Sequence, residues 1–261
     1  TLGVLNRLFL RRPLVFICHN VLPHEVRRWD PWLARMVLRW GTRFIVQSED
    51  EQERLLTLMP RAQVAIAPLP VYDMFSDQRI PKDEARRRLG LPPNVPVLLF
   101  FGIVREYKGL REVLTAIPEV QAQLGKVNLL VAGEFWEDKR SYLEIIKKLG
   151  ISESVIIEDR YIPNEEVGLY FSAADVLVAP YRQITGSAVV RLAQGFGLPV
   201  VTTALGSPSN VGDAVLVVSQ TDPFTLAQAI LHCYAIQNHS GNFSQQAYEL
   251  SWTRLVEIIE R

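Results

Sequence analysis

The chain has 261 residues, 48% of them hydrophobic and 21% charged, the composition of a globular protein with material for one large or two small cores; a disordered or fibrous chain is excluded. Its 28 basic residues are matched by 28 acidic ones, so no whole-molecule field recruits nucleic acid and any anion site has to be local. Two cysteines, Cys18 and Cys233, show no metal-ligand or redox spacing, which fits a reducing cytoplasm, and no apolar run reaches the roughly 18 residues of a membrane span.

In chain order, Asn6-Arg7-Leu8-Phe9-Leu10-Arg11-Arg12 is basic and amphipathic, a pattern compatible with a peripheral contact at the inner face of a membrane. Leu14-Val15-Phe16-Ile17-Cys18 is a strand pattern that ends in His19-Asn20, with His24 following. These polar groups lie where open α/β sheets hold ligands, although a lone histidine is as readily structural. Trp29, Trp32, Leu33, Met36, Val37 and Trp40 recur at helical spacing and are expected to be core. Arg43–Gln47 is a second strand, Ser48 an N-cap with acid in the following turn, and Gln63–Ala67 a short third strand. The polar stretch Ser76–Pro81 marks a boundary between a domain at 1–76 and one at 77–240. An amphipathic helix within 241–261 is expected to pack back on the first domain.

The second domain alternates regularly. Strand Val97–Val104 leads to helix Gly109–Leu124, Val127–Ala132 to Lys139–Leu149, Val155–Ile157 to Glu165–Ser172, and Val176–Ala179 to Ser187–Phe196. Strands Val200–Thr203 and Ala214–Val218 and helix Phe224–Ala235 complete it. Such alternation predicts right-handed βαβ units and a parallel, doubly wound sheet.

Each strand end of this domain offers something to a ligand. Gly102 lets a bulky group approach the backbone, and Arg105 and Lys108 beside a helix start make a seat for phosphate, or merely solvate the helix end. Glu134, after Gly133, can accept from a sugar hydroxyl or face water. Tyr161 can bound a base pocket or pack. Thr185-Gly186-Ser187 can bring a helix N-terminus to a phosphate or serve as an ordinary N-cap. No Ser-His-Asp order, HExxH, CxxC pair or P-loop pattern occurs.

Phe101–Gly109 with its Arg105-Glu106-Tyr107-Lys108, Ala132-Gly133-Glu134, Gly195-Phe196-Gly197-Leu198-Pro199-Val200-Val201 and Thr221-Asp222-Pro223 together resemble the C-terminal half of a family 4 retaining glycosyltransferase of GT-B fold. His19-Asn20-Val21-Leu22-Pro23-His24-Glu25 and Phe44–Ser48 are similar to the end of that family's acceptor domain. The resemblance implies an α/β GT-B protein with two Rossmann-like domains and parallel sheets, the N-terminal one incomplete because the family's first strand and Gly-rich loop do not precede Leu14. It implies transfer of a sugar from a UDP-, GDP- or ADP-sugar to a glycan or lipid-linked acceptor, without metal. Arg105 and Lys108, with His19, are then catalytic. Gly102, Glu134, Tyr161, Ile162, Thr185, Gly186 and Ser187 face the donor, and Asn20 and His24 the acceptor.

In one respect the pattern departs from the family. Two glutamates eight positions apart, the second anchoring the donor ribose, are replaced by Ile184 and Leu192. Gln183 or Arg191 would have to supply those contacts. The alternative reading is accordingly a nucleotide-sugar-binding pseudoenzyme or assembly subunit of the same fold.

Overall fold

The structure, a computed structural model, describes residues 13–23, 26–67, 75–182, 187–203, 215–218 and 221–240. It divides into two compact units, one in residues up to Pro70 and one from Val71 to Ala247. The helix expected within 241–261, and His24, Gln183, Ile184, Thr185 and Gly186, lie outside the described residues.

Unit 1 is a parallel three-stranded sheet of order β1-β2-β3, formed by β1 (Val15–Cys18), β2 (Arg43–Val46) and β3 (Val64–Ile66), with Val15 opposite Arg43 and Phe44 opposite Val64. Helix α1 (Asp30–Leu38) connects the first two strands and α2 (Glu49–Leu58) the next two. Ser48 caps α2 as its position demands, its hydroxyl accepting from the Glu51 N–H at 3.3 Å, and Glu49, Asp50 and Glu51 complement the helix dipole. Phe44, Val46, Leu55 and Leu38 form the core.

The apolar stripe of α1 is not core. Trp29, Trp32, Leu33, Met36 and Val37 are 58%, 63%, 45%, 38% and 56% exposed, and α1 turns Ala34 and Leu38 to the sheet instead. A 3.6-residue period establishes that a helix is two-faced but not which face is covered, and here the larger apolar face points outward.

Unit 2 begins with α3 (Lys82–Arg88) and continues through β4 (Val97–Phe101), α4 (Leu110–Leu124), β5 (Asn128–Ala132), α5 (Lys139–Leu149), β6 (Val155–Glu158), α6 (Asn164–Ala173), β7 (Val176–Ala179), α7 (Ala188–Gly195), β8 (Val200–Thr203), β9 (Val215–Val218) and α8 (Pro223–Ser240). Six parallel strands run in the order β6-β5-β4-β7-β8-β9. Numbered within the unit this is 3-2-1-4-5-6, the doubly wound arrangement whose direction reverses between its first and fourth strands. Because β4 is central, it is apolar on both sides: Leu98 and Phe100 face α4, α5 and α8, while Val97 and Leu99 face α6 and α7.

Three predicted boundaries shift, two of them for identifiable reasons. β4 stops at Phe101 because Gly102 has φ of 99°, and Val104 makes an isolated bridge to Phe135 instead of extending the strand. α4 starts only at Leu110, since Gly109 at φ 79° separates it from the 3₁₀ turn Glu106–Lys108. α8 continues past Ala235 to Ser240.

A polar clamp fixes α3 to the sheet. Asp175, 6% exposed, accepts from Lys82 Nζ at 2.7 Å, Arg86 Nη2 at 2.6 Å and the Val97 N–H at 2.7 Å. Arg86 also donates from Nε to the Ala173 carbonyl at 3.1 Å, and further to Pro93. Three chain segments thus meet at one carboxylate.

Candidate active site

A doubly wound sheet binds ligands at the carboxyl ends of the strands where its winding reverses, here β4 and β7. The helices that follow these strands leave to opposite faces, α4 into the cluster of Leu98 and Phe100, and α7 into that of Val97 and Leu99, so a crevice opens between them. Gly102, Arg105 and Lys108 follow β4; Tyr181, Arg182 and Ser187 follow β7.

Close backbone approaches line this crevice. A Cβ on Gly109 would sit 2.3 Å from the Pro180 carbonyl oxygen, and one on Gly133 (φ 145°) would sit 2.1 Å from that of Gly102, so neither position admits a side chain. The Arg182 N–H donates to the Tyr107 carbonyl at 2.7 Å. Its guanidinium donates from Nε to Glu112 Oε1 at 2.7 Å and from Nη1 to Glu106 Oε1 at 3.3 Å, and the bond to Glu112, ahead of all other influences, holds Arg182 more firmly protonated than usual. The turn after β7 is thus bonded directly to the turn after β4 and to α4.

Within this frame lie two half-buried cations. Lys108 Nζ is 5.0 Å from the centroid of the Tyr181 ring and 5.9 Å from that of Tyr107, and it would be 3.8 Å from a Cβ on Gly102. The Arg105 guanidinium stacks 4.7 Å above the ring of Trp136. Among the described residues neither cation is in an ion pair, whereas Lys82, Arg86, Lys139, Arg160 and Arg182 all are. Cations set against aromatic faces, without a carboxylate, are attracted to the ring yet retain their capacity for an anion. Val189, in the first turn of α7, also reaches within 3.8 Å of the same point beside Gly102. The start of α7 thus comes near the Lys108 ammonium, with the Val190 amide of that turn already taken by the Ser187 hydroxyl.

Trp136 carries no signal in the sequence beyond its place after Gly133-Glu134. Its Nε1–H donates to Glu134 Oε2 at 3.4 Å, and its main-chain N–H to the Val104 carbonyl at 3.2 Å, so Glu134, Trp136 and Arg105 form one group. The loop carrying them is anchored by Asp159, which accepts from the Phe135 N–H at 3.0 Å and Lys139 Nζ at 3.1 Å; the backbone bond above all keeps its carboxyl below the usual carboxylate range.

The other sequence-designated residues are placed as follows. Ser187 is 5% exposed and its hydroxyl is shared between the Val190 N–H at 3.3 Å and Tyr181 Oη at 2.9 Å, so its side chain is an N-cap and only the helix start faces outward. Ile162 belongs to the core beside Tyr170 and Phe171. Tyr161 is 66% exposed after β6, at the sheet edge, two strands from β4. Leu192 is buried against the same core as Phe196 and Leu198. In unit 1, His19 and Asn20 are exposed beyond β1, and Gln47, which the sequence did not single out, lies 2.5 Å by its Nε2 from His19 Nδ1. An amide nitrogen can only donate, so Nδ1 is the acceptor of this pair. The following Val21 N–H donates to the buried Glu51 at 2.6 Å and fixes the loop after the histidine.

Residues 95–235 match the family model described as Glycosyl transferases group 1. The chain is 30% identical over 206 residues to D-inositol 3-phosphate glycosyltransferase 1 of Catenulispora acidiphila, covering 74% of this chain and 49% of that protein. It is 30% identical over 244 residues to the D-inositol 3-phosphate glycosyltransferase of Geodermatophilus obscurus, covering 85% and 52%. It thus spans about half the length of these curated relatives. Among solved structures it is similar to sucrose-phosphate synthase from Thermosynechococcus elongatus (TM-score 0.71, 20% identity, 89% of this chain and 62% of that one). It is also similar to Anabaena HepE in complex with UDP and glucose (TM-score 0.72, 19% identity, 88% and 64%). At such identity the two structures show the fold, the GT-B type that the motifs imply. With more than half of its residues inside the family model and its strand-end motifs in the register that the sheet requires, the chain belongs to the Glycosyl transferases group 1 family.

Proposed function

We propose that this protein transfers a sugar from a nucleoside diphosphate donor, with UDP as the carrier, to a glycan or lipid-linked acceptor with retention of configuration. The observation that carries this reading is the pair of half-buried cations, Arg105 and Lys108, without an acidic partner among the described residues, at the reversal point of the sheet. The likeness to HepE, whose solved complexes contain UDP, UDP and glucose, and UDP-glucose, supports UDP over GDP or ADP.

As the glycosidic bond breaks, negative charge grows on the departing diphosphate. Lys108 and Arg105 offset it, and the first-turn amides of α7 add partial positive charge. The acceptor hydroxyl bonds to the anomeric carbon on the face that the diphosphate leaves, and its proton passes to the departing phosphate oxygen. No enzymic nucleophile and no metal is required in this scheme. His19, oriented by Gln47, is the acceptor-side group of unit 1.

Leu192 favours a second reading. Where the family has the ribose-binding carboxylate this chain buries a leucine, which suits a subunit that binds a nucleotide-sugar without turning it over. The two are separated by incubating the whole protein with UDP-, GDP- and ADP-sugars and a panel of glycan and lipid-linked acceptors, reading nucleotide release and product. Transfer from a UDP-sugar, unchanged by EDTA and with the anomeric configuration preserved by NMR, is the expected result. Binding without turnover of any donor supports the second reading, and absence of binding to all three rejects both.

A further inference from the structure

We propose that Trp136 is the positioning residue for Arg105: its indole face holds the guanidinium in place for the diphosphate while leaving the cation its charge. The inference rests on the donor-site reading above and adds to that site a residue whose side chain carries none of the strand-end motifs. A long arginine side chain samples many rotamers, and fixing it only when the ligand arrives costs affinity. A carboxylate could fix it beforehand, but it would compete with phosphate for the same donors and cancel the charge that phosphate needs. A ring face does neither. Arg105 Cζ lies 4.7 Å from the centroid of the Trp136 ring, and among the described residues Arg105 is in no ion pair. Lys108 follows the same principle, set against the rings of Tyr181 and Tyr107.

The backbone builds this partnership. Beyond Gly102 and Gly133 the turns after β4 and β5 continue side by side, the Val104 N–H donating to the Glu134 carbonyl at 2.8 Å and the Trp136 N–H to the Val104 carbonyl at 3.2 Å. Trp136 is thereby bonded to the peptide that joins Val104 to Arg105. Val104 and Phe135 form a parallel bridge, and both turn inward: Val104 is fully buried, and Phe135 meets the Tyr142 ring edge-on with centroids 5.6 Å apart. Arg105 is extended (φ −140°, ψ 156°), so by the alternation of extended chains the next residue of each turn, Arg105 and Trp136, points to the opposite side together. The register that pairs the two turns thus also pairs the guanidinium with the indole. Two further bonds hold the Trp136 segment, from the Gly133 N–H to the Glu158 carbonyl at 3.0 Å and from the Phe135 N–H to Asp159 at 3.0 Å. The indole N–H, directed at Glu134 Oε2, is polarised by the carboxylate, which leaves the ring richer in electrons and the better partner for a cation.

The test is a double-mutant cycle read by calorimetric titration of the whole protein with UDP. Trp136→Leu should weaken UDP binding about three- to tenfold, while Trp136→Phe, which keeps a ring face, should stay within about twofold of the wild type. On the Arg105→Ala background Trp136→Leu should change nothing further; on the Lys108→Ala background it should keep its full effect. An indole that only supports the fold, or that stacks on the base, would weaken binding equally on both backgrounds, and that result overturns the proposal. So does wild-type affinity in Trp136→Leu, or a Trp136→Phe variant as weak as Trp136→Leu. If Arg105→Ala weakens UDP binding and Trp136→Leu does not, the positioning role alone falls; UDP affinity unchanged by Arg105→Ala removes the donor-site reading itself. The indole is 58% exposed, so its replacement opens no cavity in the core, and Trp136→Gln repeats the comparison should the leucine variant fail to fold.

Discussion

Replacing Lys108 by alanine is expected to weaken UDP binding about 10- to 100-fold, and replacing Arg105 by alanine to do nearly the same, as measured by calorimetric titration. A charge-assisted hydrogen bond to phosphate contributes roughly 1.5 to 3 kcal/mol, and tenfold in affinity corresponds to about 1.4 kcal/mol. Among the described residues Lys108 has no carboxylate partner whose release would complicate the measurement, and its ammonium lies 5.0 Å from the centroid of the Tyr181 ring. Alanine there removes a charge without leaving an opposite one buried. The double variant should lose less than the sum of the single losses, because both cations act on one diphosphate. Lys108→Arg is not a conservative control, because a planar guanidinium presents its donors to phosphate in a fixed fork where the ammonium is a compact point charge. A control at the exposed Tyr161, such as Tyr161→Ala, distinguishes a base-binding role at the sheet edge from a phosphate role at its centre.

The largest effect on stability is expected from Asp175→Ala, about 3 to 5 kcal/mol. That loss lowers the Tm of a unit of this size by roughly 10 °C. The carboxylate is the common acceptor for Lys82, Arg86 and the Val97 N–H. Its removal leaves Arg86, 5% exposed, as an uncompensated buried charge, and leaves the first amide of β4 without a partner. Because β4 is the strand from which the candidate site hangs, nucleotide binding should fall together with the melting temperature. Adding Arg86→Met should restore part of the loss, since the buried charge is then gone while the Val97 amide remains unpaired. Thermal melts of the wild type, the single and the double variant measure both contributions; equal Tm values for all three would mean that the clamp carries no stability.

How much could be read from the sequence varied with the kind of information each residue carried. The βα alternation of unit 2 was legible throughout, because an apolar run such as Val97–Phe101 ending at glycine admits few other structures. That the sheet is parallel and doubly wound followed from chirality and connection rules once the elements were known, whereas the strand order is visible only in the structure. Cations at Arg105 and Lys108 were legible as candidates, but their want of acidic partners among the described residues was not: pairing is decided by distant segments, as Arg182 shows by bonding Glu112, 70 residues away. The same holds for Trp136 and Tyr181, whose partnership with the two cations depends on the β4–β5 and β4–β7 neighbours. Ser187 and Ile162 illustrate the opposite case, residues of suitable type at a suitable strand end whose side chains are committed to a helix cap and to the core. The α1 stripe was legible as a helix and misread as core, since periodicity carries no information on which face meets the sheet.

The measurement that tests the central claim most directly is a structure of the whole protein with UDP bound. The account predicts the diphosphate between Gly102 and the first turn of α7, with hydrogen bonds from Lys108 Nζ and the Arg105 guanidinium. A diphosphate bound away from the ends of β4 and β7, or bound there with neither cation touching it, would contradict it.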